Sequence, residues 1–244
     1  MVDRLWYFVM VPMVYLCVTW CAVWIVLKII QALRAPKLPP TLRIFPEGKD
    51  PEDWNTGGLP GAAWDALTMP SVRRYHPFMW VFLAVFHIAL AILVLSHLDL
   101  LPEINIMSAD SPHMIGNGAL GVVLIVCVLY LLFRRFLSPV RELSVPSDYL
   151  LLFLLFLIIA SGAIISWGNS WSEDGFVITK QDLGLYLQSL FAFTFADPRE
   201  VLSGAHYAVV GAHVLLANLF LLILPFSKIA HVFFAVPLNA LRRG

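Results

Sequence analysis

Charge is scarce in this sequence: only 13% of its 244 residues are Asp, Glu, Lys or Arg, where soluble domains carry about a quarter. So few charges cannot cover the water-facing surface of a chain this long, which excludes an ordinary soluble globular protein. Nor is there an excess of either sign. Sixteen basic and sixteen acidic residues cancel, so the charge pattern gives no footprint for nucleic acid. Cysteine is sparse as well: Cys17, Cys21 and Cys127 all fall in apolar runs. Their spacing fits neither a zinc site nor a disulfide framework, and they read as buried thiols. Internal repeats and low-complexity tracts are missing too.

What the sequence does have is apolar length, with 60% hydrophobic residues. Five stretches approach the roughly 20 residues needed to cross a bilayer. They are Trp6–Ile30, Met79–Leu98, Met114–Phe133, Tyr149–Trp167 and His206–Phe226, the last continuing as a mixed helix toward Val236. The first is too long for a removed signal peptide and lacks a small-residue cleavage pattern. The expected fold is therefore all-α, a single integral membrane bundle of five transmembrane helices spanning residues 1–244.

An odd number of spans puts the termini on opposite sides, and the basic residues choose between the two arrangements. With the N-terminus outside, thirteen of the sixteen Lys and Arg fall on the cytoplasmic side; only Arg4, Lys180 and Arg199 fall outside. That partition follows the positive-inside rule, and predicts N-out, C-in. Residues 35–77 then form a long cytoplasmic connection, rich in Pro and Gly, while 168–205 lie outside. Within the outer stretch, Asp182–Phe195 reads as a short interfacial amphipathic helix with Leu183, Tyr186, Leu187 and Leu190 on one face.

Polar groups inside a membrane are costly, so each is a functional candidate. Four histidines lie in or at the ends of two spans: His87 and His97 on the second, His213 and His231 on the fifth. Given the topology, His87 and His231 both sit toward the cytoplasm, and His97 and His213 toward the outside. Two facing pairs at two depths are what a di-haem b cytochrome needs, with one imidazole from each helix on each iron. The spacing strains this reading. His213 and His231 are eighteen residues apart, one face of a straight helix and about 27 Å of rise. His87 and His97 are ten apart, about 15 Å. Tilt, or a bend at Pro225, has to absorb the difference. A histidine on an apolar helix can equally be hydrogen-bonded to a neighbouring helix. His76, His113 and His206 sit at span ends, and His206, seven residues before His213, is a rival outer ligand.

These features resemble the cytochrome b family typified by the gamma subunit of respiratory nitrate reductase. The resemblance rests on Phe86-His-Ile-Ala-Leu with Ser96-His-Leu, and on Leu224-Pro-Phe-Ser-Lys-Ile-Ala-His231. Phe133-Arg-Arg, Ser138-Pro-Val-Arg141 and Ser147-Asp-Tyr before the fourth span add to it. It implies two haem b groups, an inner one on His87 and His231 and an outer one on His97 and His213. It also implies a quinone-linked electron conduit between menaquinone, or a related quinone, and a cytoplasmic iron–sulfur subunit. That partner would be heterodisulfide-reductase-like or nitrate reductase beta-like, with further membrane and multihaem cytochrome c subunits in some branches.

The long first cytoplasmic loop, with its Pro-rich 35–40 run and Gly57-Gly-Leu-Pro-Gly61, is closer to the heterodisulfide-reductase-like, sulfur-metabolism branch than to the nitrate reductase type. No lysine stands between the second and third spans, where the nitrate reductase type places one near its quinol. Asp110 and His113 are the polar groups available there, readable as a quinone site or as the N-cap region of a helix in a solvated loop. A rival class, a haem-free proton-relay transporter, expects acidic partners at mid-membrane; the cores of the second to fifth spans hold none.

Overall fold

In a computed structural model, residues 2–34, 58–101, 104, 118–171, 180–202 and 206–236 are described, and every element among them is helical. The chain opens with α1 (Val2–Met10) and α2 (Pro12–Arg34), which together make a 30-residue apolar stretch, Asp3–Ala32. Pro12 has no N–H to give, so the ladder loosens at Val11. The carbonyls just before it are taken up by side chains: Asn218 Nδ2 donates to Val9 at 2.9 Å, and Tyr186 Oη to Met10 at 2.6 Å.

Two short helices follow, α3 (Gly58–Thr68) and α4 (Pro70–Tyr75), separated by Met69 in a left-handed conformation at φ 46°. Part of the segment expected as an irregular loop is thus helical. The cause is local: an Ala62, Ala63, Trp64, Leu67 cluster supports a helix, and Pro70 starts the next one at the position where its missing N–H costs nothing. Trp80 Nε1 on the next helix donates to the Thr68 carbonyl at 2.7 Å and ties this pair down.

The remaining elements are α5 (Pro77–Leu98), α6 (Ala119–Arg134), α7 (Pro146–Trp171), α8 (Lys180–Phe191) and α9 (His206–Ile223). Among the described residues, four helical stretches are long and apolar enough to cross a membrane: Asp3–Ala32, Pro77–Leu98, Pro146–Trp167 and Tyr207–Phe226. Helix α6 is apolar but has 16 residues; the N-terminal part of the span expected at Met114–Phe133 falls outside the described residues. The protein is a multi-pass helical membrane protein. Many of its large apolar side chains, such as Leu16, Ile88, Val126 and Ile164, point outward, as lipid-facing residues do.

Lipid is as apolar as leucine, so close approach rather than hydrophobic burial holds the helices together. Gly121 on α6 lies where an added Cβ would meet the Cβ of Ala163 on α7 at 3.0 Å. Gly211 on α9 likewise admits the Trp6 ring, 2.6 Å from its virtual Cβ. Helix α5 packs on α6, α6 on α7, α7 on α9, and α9 on α1 and α2. Helix α5, which carries His87 and His97, and helix α9, which carries His213, are not among these closely packed pairs.

Side-chain ties gather the helix ends into two groups. At one end, Arg135 and Lys228 both pair with Asp148, and Lys28 Nζ donates to the Pro225 carbonyl. At the other end, Arg199 bridges Asp3 at 3.5 Å and Asp197 at 2.5 Å, and Tyr7 Oη donates to Phe195 O. Helix α8 belongs to the second group. Its Leu183, Tyr186 and Leu190 face protein, packing on Met10, Val11 and Tyr207, rather than lying on a lipid surface as the amphipathic pattern predicts. Gly184 makes this docking feasible, since any Cβ there would come within 2.5 Å of the Leu100 carbonyl. Burial in this cluster raises the Tyr186 hydroxyl's pKa far above its usual range.

Candidate functional site

Helix α5, helix α9 and the segment after α9 bring the four histidines into two facing pairs. His97 and His213 have ring centres 6.5 Å apart and planes only 15° from parallel. His87 and His231 have centres 6.2 Å apart and planes at 76°. His87, His97 and His231 are exposed and His213 is half-buried.

The pairing of His87 with His231 requires a departure from the straight fifth helix used to estimate a 27 Å rise. Helix α9 stops at Ile223 and is followed by two 3₁₀ turns, Leu224–Phe226 and Lys228–Ala230, before residues 231–236 resume helical geometry. Pro225 forces the break, because it cannot donate to Leu221 and its ring crowds that carbonyl. Ser227 starts the second turn by accepting the Ile229 N–H on its own hydroxyl at 3.2 Å. His231 is therefore delivered by a re-aimed segment, and the mismatch between the two histidine intervals disappears.

All four imidazoles have Nδ1 occupied. His87 Nδ1 meets the Leu83 carbonyl at 2.6 Å, His97 Nδ1 the Leu93 carbonyl at 2.8 Å, and His231 Nδ1 the Lys228 carbonyl at 2.8 Å. A carbonyl can only accept, so each Nδ1 carries the proton and each Nε2 keeps its lone pair. His213 Nδ1 instead meets Ser161 Oγ on α7 at 2.9 Å. That hydroxyl spends its proton on the Ile158 carbonyl at 2.9 Å, so its oxygen accepts from His213 and imposes the same tautomer. Four basic Nε2 atoms in two opposed pairs form a donor set for metal ions.

The separations fit that use. A metal–imidazole bond is about 2 Å and the ring centre lies ~1.1 Å behind the nitrogen, so two imidazoles on one metal have centres about 6.3 Å apart. Among the described residues no cluster of three or more His, Cys, Asp and Glu comes together. Two facing imidazoles per pair would suit a metal held largely by a prosthetic group, as a haem iron is.

Ser161 and Gly162 were not legible as site residues from the sequence. The signal was there in the small Ala160-Ser161-Gly162-Ala163 run within an otherwise bulky helix, which marks a close approach. A Cβ on Gly162 would lie 3.2 Å from His213 Cε1, so the glycine makes room for the ring. Asp148, quoted within a motif but given no role, proves to be a buried anion between Arg135 and Lys228. Arg135 is thus committed to Asp148, and Arg141 lies 3.8 Å from Glu142. His76 stands at the start of α5. Asp110, His113, the tail 237–244 and the His206 side chain lie outside the described residues.

The fold and site define a multi-pass helical membrane protein with two facing histidine pairs, and comparison with known proteins narrows that class. The model of the nitrate reductase gamma subunit family matches residues 76–244, more than half of the chain, and the chain belongs to that family. It is also similar to two proteins named Hdr-like menaquinol oxidoreductase cytochrome b-like subunit. The one from Archaeoglobus profundus is 28% identical over 63% of this chain and 46% of the relative. The one from Archaeoglobus fulgidus is 30% identical over 66% of this chain and 50% of the relative. The chain spans about half the length of the curated relatives it matches.

Proposed function

We propose that the chain is a membrane di-haem cytochrome b subunit linking a menaquinone-type pool to a cytoplasmic iron–sulfur subunit, N-terminus outside and C-terminus inside. The observation that carries the proposal is the pair of imidazole pairs, spaced 6.2 and 6.5 Å, with every Nδ1 taken by a backbone carbonyl or the Ser161 hydroxyl. When bound, the haems would supply one-electron iron centres with no open coordination position for oxygen chemistry.

The chain's own residues do the rest. His87 and His231 would hold the inner group, His97 and His213 the outer. The Leu83, Leu93 and Lys228 carbonyls and the Ser161 hydroxyl fix ring tautomer and make each Nε2 a better donor. Phe86, Leu124 and Leu155 form the packed core of α5, α6 and α7 that would hold α5 and its two histidines in place. The end bearing Arg135, Lys228 and Lys28 is the cytoplasmic one by the positive-inside rule, and would face the iron–sulfur partner. The partner in this reading is heterodisulfide-reductase-like, in anaerobic sulfur metabolism, rather than nitrate reductase beta-like; the relatives' printed description as Hdr-like supports the branch. Asp110 and His113 remain the proposed quinone-side groups.

The test is haem content. The purified protein should carry two haem b per chain, and His213→Ala and His231→Ala should each lose one of the two. Unchanged haem content in both variants would refute the assignment.

A further inference from the structure

Asp148 is buried at 4% exposure in the first turn of α7, and a single one of its oxygens takes three donors. Oδ2 accepts from Arg135 Nη1 at 3.2 Å, from the Val145 N–H at 3.2 Å and from Lys228 Nζ at 2.6 Å. Burying a carboxylate is costly unless it is paired, and α7 would start as well with an ordinary exposed cap at this position. What the burial achieves is a fixed point shared by three elements: the end of α6, the start of α7 and the second 3₁₀ turn after α9.

Lys228 is the informative partner. Its side chain ends on Asp148, while its carbonyl holds Nδ1 of His231. The same residue that anchors the turn therefore sets the tautomer and the aim of the imidazole. The other side of the break is held separately, by Lys28 Nζ on the Pro225 carbonyl. Between these two ties the chain is free of regular α-helix, so its position depends on side-chain anchors to a degree that no other histidine of the site does.

We propose that Asp148 is a positioning residue for the inner histidine pair, acting through Lys228 on the orientation of His231. The inference rests on the di-haem reading above. Removing either anchor should re-aim His231 and change the inner haem's low-spin EPR signal, whose anisotropy follows the angle between the imidazole planes. It should also weaken inner-haem retention by about 10-fold, the usual scale for an outer-shell partner, and leave the outer haem untouched.

The experiment compares Asp148→Asn, Lys228→Met and the double variant by EPR, redox titration and haem count. Positioning predicts the same change of inner signal in both single variants, and no more in the double than in the larger single. A purely electrostatic role predicts opposite shifts of the inner midpoint potential, upward without the carboxylate and downward without the ammonium, with signal and occupancy unchanged. That second pattern overturns the proposal. If Asp148→Asn does not fold, Lys228→Met decides alone, because the Lys228 side chain is 61% exposed and removable. Wild-type protein without haem would sink the di-haem reading itself, whereas two haems indifferent to both substitutions would sink only this inference.

Discussion

The outer and inner histidine pairs share the same two carrier segments, yet they are built by different means. The outer pair joins two regular helices. His97 sits near the end of α5 and His213 in the middle of α9, with parallel rings and with Ser161 and Gly162 of α7 packed behind. The inner pair joins a regular helix to a broken one. His231 follows two 3₁₀ turns, its ring is steeply inclined to that of His87, and an ion cluster on Asp148 holds the turn in place. Where both histidines lie on regular helices, packing and local hydrogen bonds hold the pair. Where one lies beyond a proline break, polar anchors take over.

The largest expected effect comes from removing the break. Pro225→Ala lets residues 224–230 continue α9, which carries His231 away from His87 and should abolish inner-haem binding while the outer haem stays. A redox difference spectrum resolves the two, and an intact inner haem in this variant would break the contrast. Next is Gly162→Val, which pushes a branched side chain onto His213. Overpacking of this kind costs about 1–3 kcal/mol, and here the outer haem should be lost preferentially, as read by haem count.

A subtler change is Ser161→Ala. It leaves the His213 Nδ1 proton without its acceptor, a loss of about 1 kcal/mol. An imidazole deprived of that acceptor is a poorer donor, so the outer midpoint potential should rise while the inner one does not move. The smallest effect belongs to the outer loop, remote from both pairs. The hydrogen bond from Arg199 holds the Asp197 carboxyl below its usual range. A native value depressed in this way contributes stability above the unfolded value of about 3.9, and that contribution is lost as pH falls through the native one. Asp197→Asn should remove roughly 0.5 kcal/mol or less, because Arg199 is half exposed. A thermal melt at neutral pH should show the difference, the difference should shrink as pH falls below about 3.9, and both haems should be indifferent.

Much of this arrangement is legible in the sequence. Intramembrane histidines stand out against spans without charge, and the uneven distribution of Lys and Arg sorts them by depth, giving the pairs that the structure brings face to face. The break after Ile223 was readable as a proline, but its consequence was not: a helix count assumes a straight axis, and only the folded chain shows His231 re-aimed. Ser161 is silent in a hydropathy profile because its role depends on which face of α7 meets α9. Asp148 reads as an ordinary helix-start acid until Lys228, 80 residues away, is placed beside it. Helix α8 has the pattern of an interfacial helix, and pattern alone cannot distinguish lipid from Met10 and Tyr207 as the surface it covers.

The central claim is that one chain carries two bis-histidine haems differing in the angle between their ligand planes. Low-temperature EPR of the oxidised protein tests it directly. The account predicts two low-spin ferric signals. One should be strongly anisotropic, from the inner pair at 76°, and lost in His231→Ala; the other should be ordinary rhombic, from the outer pair at 15°, and lost in His213→Ala. A spectrum with no low-spin haem signal, or with signals that survive both substitutions, would contradict it.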